Sequence, residues 1–118
     1  MNKDPRALIE EVYNGISEYS QLEDTRMAAW EKVVSLGYDN GAMDTKTKEL
    51  LAAGISLVVR CDHCIAHHVY SALKAGATRE ELTEAAFTAI VMSGGPAVTY
   101  AATLYLDCIK TFAPDFEK

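Results

Sequence analysis

Two cysteines separated by two residues, Cys61 and Cys64, are followed by His68, and Glu49 lies twelve positions before Cys61. On an α-helix each residue turns the side-chain direction by about 100°, so Cys61, Cys64 and His68 fall within an arc of about 60°. Two thiols and an imidazole therefore share one helix face. Cysteine reacts as its thiolate, which needs a local base or a favourable field to form near neutral pH. His68, one turn beyond Cys64, is placed to accept the thiol proton, and a carboxylate at Glu49 would orient the imidazole and stabilise its charged form. Nucleophile, base and orienting acid together outline a thiol–disulfide site.

The same residues admit other readings. Two thiolates and an imidazole are good zinc ligands, with Glu49 as a fourth, although structural zinc sites usually draw on two separated elements and these three lie within about two turns of one helix. The cysteines could be two small buried hydrophobes, and Glu49 a first-turn acid complementing the helix dipole. His63, between the cysteines, reads as functional, whereas His67 reads as a surface or interface residue. Cys108 stands alone in the last helix and reads as core, as does Trp30 in preference to a pocket wall. Tyr100 and Tyr105 read as packing or interface residues.

The elements that must position these groups are all helical. Asp4-Pro5 is an N-cap followed by proline at the first helical position, and Leu8, Ile9, Val12, Tyr13 and Ile16 recur at helical spacing before Gly15 and Ser17 weaken the end. A second helix is expected from about Gln21 to Leu36, with Gly37 as its C′ residue, followed by a turn at Tyr38-Asp39-Asn40-Gly41. Asp44 caps the helix carrying Glu49, whose stripe of Leu50, Leu51, Ile55 and Val58 is broad enough to predict burial on several sides. A turn near Arg60 would set the next helix antiparallel, bringing Glu49 and His68 within about one helical turn of level. It also puts both cysteines in a first turn, where free N–H groups and the dipole stabilise a thiolate. Gly76 ends that helix, and Thr78-Arg79-Glu80-Glu81 has the pattern of a capping box opening the next. Ser93-Gly94-Gly95-Pro96 breaks the fifth helix, and Pro96 suits the start of a sixth that runs to about Phe112, before Pro114. The expectation is an all-α single compact domain of about six helices covering residues 1–118.

The 118 residues carry 17 acidic and 11 basic side chains, a net charge of −6, with no Lys/Arg cluster. Nucleic acid is an unsuitable partner for such a surface. The longest apolar run is about half the ~20 residues of a membrane span, and no apolar leader follows Met1, so no membrane association and a cytoplasmic location are expected. In a reducing compartment a close cysteine pair indicates redox or metal chemistry and not a disulfide scaffold. No flavin, nicotinamide or haem motif is visible. Electrons are therefore expected from a dithiol reductant protein or a small thiol, with no cofactor and no bound metal.

Glu49, eleven residues, Cys61-Asp62-His63-Cys64, three residues and His68, followed by the glycine-alanine-threonine stretch at Ala72 to Leu82, resemble the alkyl hydroperoxidase D (AhpD)-like branch of the carboxymuconolactone decarboxylase family. The resemblance spans roughly Asp44 to Ile109. It implies an AhpD-like helical fold, association into homotrimers or hexamers, here a trimer of dimers, and an oxidoreductase of the alkyl hydroperoxidase or thiol–disulfide reductase type. By that resemblance Cys61 and Cys64 are the redox couple, Glu49 and His68 the proton relay, and His63 an accessory histidine. The substrate is then a hydroperoxide or a disulfide, attacked by Cys64 and resolved by Cys61. The alternatives are a decarboxylase-like acid/base enzyme acting on a small lactone through Glu49 and His68, and a non-enzymatic redox-sensing or zinc-binding module.

Overall fold

The computed structural model describes residues 3–117. Helix α1 spans Pro5–Leu22, with the Asp4 side chain accepting the Arg6 N–H at its start. It runs about a turn and a half past the expected end, because Gly15 and Ser17 weaken a helix without breaking it. Helix α2 follows at once as Asp24–Tyr38, so Gly37 lies inside its last turn and not beyond it. Helix α3, Thr45–Val59, opens on Asp44, whose carboxylate accepts the Thr47 N–H at 2.8 Å. Helix α4, Asp62–Lys74, ends where Gly76 adopts a φ of 102° and the Gly76 and Ala77 N–H groups return to Leu73 and Ala72. Only glycine occupies that left-handed position without strain.

Both halves of the expected capping box form at the start of α5, Arg79–Ser93: Thr78 Oγ1 accepts from Glu81 N–H, and Glu81 accepts from Thr78 N–H. The last rod is α6, Gly95–Tyr100, a π-helical stretch Ala101–Tyr105, and α7, Leu106–Phe112, closed by a 3-10 turn containing Pro114. Six helical rods thus account for the architecture, and no strand occurs among the described residues.

Helix α4 is central, packed on α3, α1 and α7, while α3 also packs on α5. Leu57, Ile65, Val69, Leu82, Tyr105 and Phe112 form the core. Gly54 permits the close approach of α3 to α5, since a Cβ there would stand 3.3 Å from the Ala85 carbonyl oxygen. Tyr105, read from the sequence as packing or interface, is fully buried, and its hydroxyl donates to the Leu82 carbonyl at 2.6 Å, which satisfies the one polar atom it brings inside. Cys108 is buried as expected. Burial first, then the nearby Asp107 and Asp62 carboxylates, pushes its thiol up to about 12, so it stays protonated and unreactive near neutral pH.

Two expectations about burial fail. Helix α3 buries a single face, Glu49, Ala53, Gly54, Ser56 and Leu57, and leaves Leu51, Ile55, Val58 and Val59 exposed. Helix α2 buries nothing fully, and Trp30 is 58% exposed and lines a groove instead of filling the core. The apolar stripes are real, but the chain has only enough neighbouring elements to cover one side of each. With Met92 of α5, the open side of α3 lines an apolar groove.

Candidate active site

Arg60 ends α3 in the left-handed conformation, φ 58°, and turns the chain by the reversal expected there. Cys61 is then the N-cap of α4 and Cys64 its third residue, so both sit at a helix start, whose first N–H groups lack partners within the helix. Cys61 Sγ accepts the Cys64 N–H at 3.2 Å. The two cysteines are joined as a disulfide, with Cα atoms 5.1 Å apart. Both are partly exposed, so the reading of two buried hydrophobes does not hold.

The reversal lays α4 antiparallel to α3 and brings Glu49 to His68. Glu49 is 7% exposed, one of few buried polar groups, and its Oε1 lies 2.7 Å from His68 Nδ1. It is the fifth residue of α3, past the first turn, which excludes the helix-dipole role. Because Nδ1 is engaged by the carboxylate, His68 keeps Nε2 for exchange with another group. Tyr38, at the end of α2, tilts against the His68 ring with centroids 5.5 Å apart. Burial, followed by the Glu49 charge, raises the Tyr38 phenol above its ordinary value, so it remains a neutral wall.

His63 and His67 flank this core. His63 Nε2 pairs with the Glu11 carboxylate from α1. His67, expected at a surface or interface, is partly buried: its ring meets His68 edge-on with centroids 4.8 Å apart, and its Nδ1 lies 3.1 Å from the Tyr13 hydroxyl. Only the contact from α1 could have revealed it, and nothing in the sequence pairs Tyr13 with position 67. All of these groups except the buried Glu49 line one groove of about 740 Å³, whose far wall is built by Ile16 and Tyr19 of α1 and Trp30 and Val34 of α2. Among the described residues, no three His, Cys, Asp or Glu side chains converge as a metal-binding group.

Burial, then the neighbouring His68, lowers the His67 pKa below 6.5, with Glu49 opposing. Above about pH 6.5 the ring is neutral in both folded and unfolded chains. As pH falls below that value, the unfolded chain takes up a proton before the folded one does, so stability declines until the lower folded pKa is reached. Thermal unfolding of the parent should therefore drop in temperature as pH falls below about 6.5, and His67→Gln should flatten that slope. An unchanged slope in the variant would assign it to other groups. The carboxylates held low by partners, Asp44, Asp115, Glu81 and Glu117, act at lower pH.

Fold and site together define an all-helical protein with a Cys-x-x-Cys pair at a helix start, backed by a buried Glu–His pair. Residues 21–107 match the carboxymuconolactone decarboxylase family, and the chain belongs to that family, with its AhpD-like helical fold. The family is an enzymatic one. An uncharacterised protein of Cupriavidus necator is 31% identical over 93% of this chain and 99% of its own length. A second, uncharacterised protein 4 in the cox locus of Paracoccus denitrificans, is 38% identical over 66% of this chain and 68% of its own. The crystal structure of a carboxymuconolactone decarboxylase family protein from Legionella pneumophila, in its apo form, superposes with a TM-score of 0.88 at 29% identity, covering 92% of this chain and 96% of that one. A family member from Thermotoga maritima, for which a part in an antioxidative response has been suggested, gives 0.72 at 28% identity over 91% and 87% of the two chains. No helix among the described residues is long and apolar enough to cross a membrane.

Proposed function

We propose that the protein is a thiol-dependent oxidoreductase that reduces hydroperoxides or disulfides through Cys61 and Cys64. The observation that carries this reading is the buried Glu49–His68 pair set one helical turn below a cysteine pair that closes as a disulfide at the floor of an open groove. In the reduced protein His68 takes the Cys64 proton, with Glu49 balancing the charge on the ring. The Cys64 thiolate attacks the distal oxygen of a hydroperoxide and the O–O bond breaks. The departing alkoxide collects a proton from the relay, leaving an alcohol and a Cys64 sulfenic acid. The Cys61 sulfur then attacks the Cys64 sulfur and expels water, forming the disulfide. A disulfide substrate follows the same path through a mixed disulfide. Two electrons from an external dithiol or small thiol reopen the pair.

The capping bond from Cys64 N–H to Cys61 Sγ also favours negative charge on Cys61, so the order of attack is a matter for experiment. We assign attack to Cys64 because His68 lies one turn beyond it on the same face. Addition of one equivalent of an organic hydroperoxide to the reduced protein should remove two of three thiols per chain, sparing Cys108. Retention of all three would end the peroxidase reading.

A second reading stays open because the Glu49–His68 pair is complete without sulfur: a decarboxylase-like acid/base enzyme. Activity on a small lactone that survives Cys61→Ser with Cys64→Ser would select it. We further propose that the apolar side of α3 mediates homo-oligomerisation into trimers or hexamers, since Leu51, Ile55, Val58 and Val59 are exposed together on it. A sedimentation mass of one chain would refute this.

A further inference from the structure

Helix α1 is attached to the core through Pro5 and Leu8 and through the Arg6 guanidinium, which binds Asp115 at 2.9 and 3.0 Å and the Thr111 carbonyl at 3.1 Å. Its next turns do something different. Glu11 reaches His63, one of the two residues between the cysteines, and Tyr13 reaches His67, the residue beside the relay histidine. Glu11 is exposed, and Tyr13, 48% exposed, also meets the His67 ring edge-on with centroids 5.7 Å apart. The family match begins at residue 21, so nearly all of α1 lies outside it. We propose that Glu11 and Tyr13 are positioning residues, through which the N-terminal helix holds His63 and His67 in place around the cysteine pair and the Glu49–His68 relay.

The physical case is one of ring rotation. A histidine side chain at the edge of a groove has a soft second torsion, and a single bond at one ring nitrogen fixes which edge it turns to its neighbours. His63 stands at the start of α4 and lines the same groove as both cysteines, so the orientation of its ring dipole acts on the field in which a thiolate forms. His67 packs edge-on against His68, so its rotation sets the space in which the relay ring can turn. The charged and titratable groups around His63 are Glu11 from α1, the two cysteines, and Asp62, itself 3.8 Å from the Lys3 ammonium. Around His67 they are Tyr13 from α1, His68 from α4, Glu49 from α3 and Tyr38 from α2. Each histidine thus has one direct partner from α1, and one isosteric substitution removes the polar bond between them.

The inference rests on the thiol-dependent reading, but its test does not require turnover. The reduced protein is alkylated with iodoacetamide across pH 6 to 10, and modification of Cys61 and Cys64 is followed by mass spectrometry. Glu11→Gln and Tyr13→Phe should each move the midpoint to higher pH, with about a threefold slower reaction at pH 7, the scale of an exposed polar contact. The unfolding temperature should stay at the parent value, because neither side chain packs in the core. Glu11→Gln should have no further effect in a His63→Gln background, nor Tyr13→Phe in a His67→Gln background, since each acts through its histidine. Unmoved midpoints, or full additivity in the double variants, would overturn the proposal. A parent that turns over hydroperoxide with unmoved midpoints defeats the role of α1 alone. Shifted midpoints in a protein that turns over neither substrate leave that role standing and defeat the peroxidase reading.

Discussion

Cys64→Ser is expected to lower hydroperoxide reduction by at least about 10³-fold, to the rate without protein. Serine keeps the size and the backbone N–H at the third position of α4, so the helix start is preserved and the loss is chemical. A hydroxyl is neither acidic enough for His68 to deprotonate nor nucleophilic toward an O–O bond. Cys61→Ser should behave differently. With the attacking thiol intact and the resolving one gone, a single turnover proceeds, and a sulfenic acid accumulates on Cys64 that a dimedone probe captures. If the probe instead labels Cys61 in Cys64→Ser, the roles of the two sulfurs are exchanged, and the capping hydrogen bond at Cys61 Sγ outweighs the His68 placement. Equal and full activity in both variants would remove the cysteines from the chemistry.

Glu49→Gln is expected to reduce kcat/KM by about 10²- to 10³-fold, within the range for a positioned acid–base partner. Glutamine keeps the shape and can still hydrogen-bond His68 Nδ1. It cannot balance the positive charge that His68 acquires on taking the thiol proton, and that charge forms in a site where Glu49 is 7% exposed. The fold should tolerate the change, because a buried carboxylate is replaced by a neutral group of equal volume. Unfolding by heat and turnover must therefore be measured together. A large fall in stability with a proportionate fall in activity would make Glu49 a structural residue. Retained activity would leave His68 acting alone, and the relay reading would be withdrawn.

Trp30 and Glu49 mark the two ways in which local pattern and final placement part company. Both stand on helices that periodicity located, yet whether each faces core, groove or solvent depends on which elements arrive from elsewhere. Trp30 belongs to an apolar stripe that nothing in the chain fully covers, so it becomes a groove wall. Glu49 belongs to a stripe that α4 covers, so an acid becomes a buried partner of His68. The exposed side of α3 shows the same limit, since amphipathicity states that a face is apolar and not what lies against it.

By itself, then, the sequence determined the features that act over a few residues. These are the caps at Asp4, Asp44 and Thr78, the stops at Gly76 and Gly94, the shared helix face of Cys61, Cys64 and His68, and, through its motif spacing, the family. All depend on backbone geometry within about two turns, where hydrogen bonds and side-chain directions follow from residue type. Only the tertiary structure decided that Glu49 meets His68 directly, that His67 enters the site, and that α1 supplies Glu11 and Tyr13. Those contacts join residues 19, 54 and 52 positions apart, and their geometry is set by how whole helices pack.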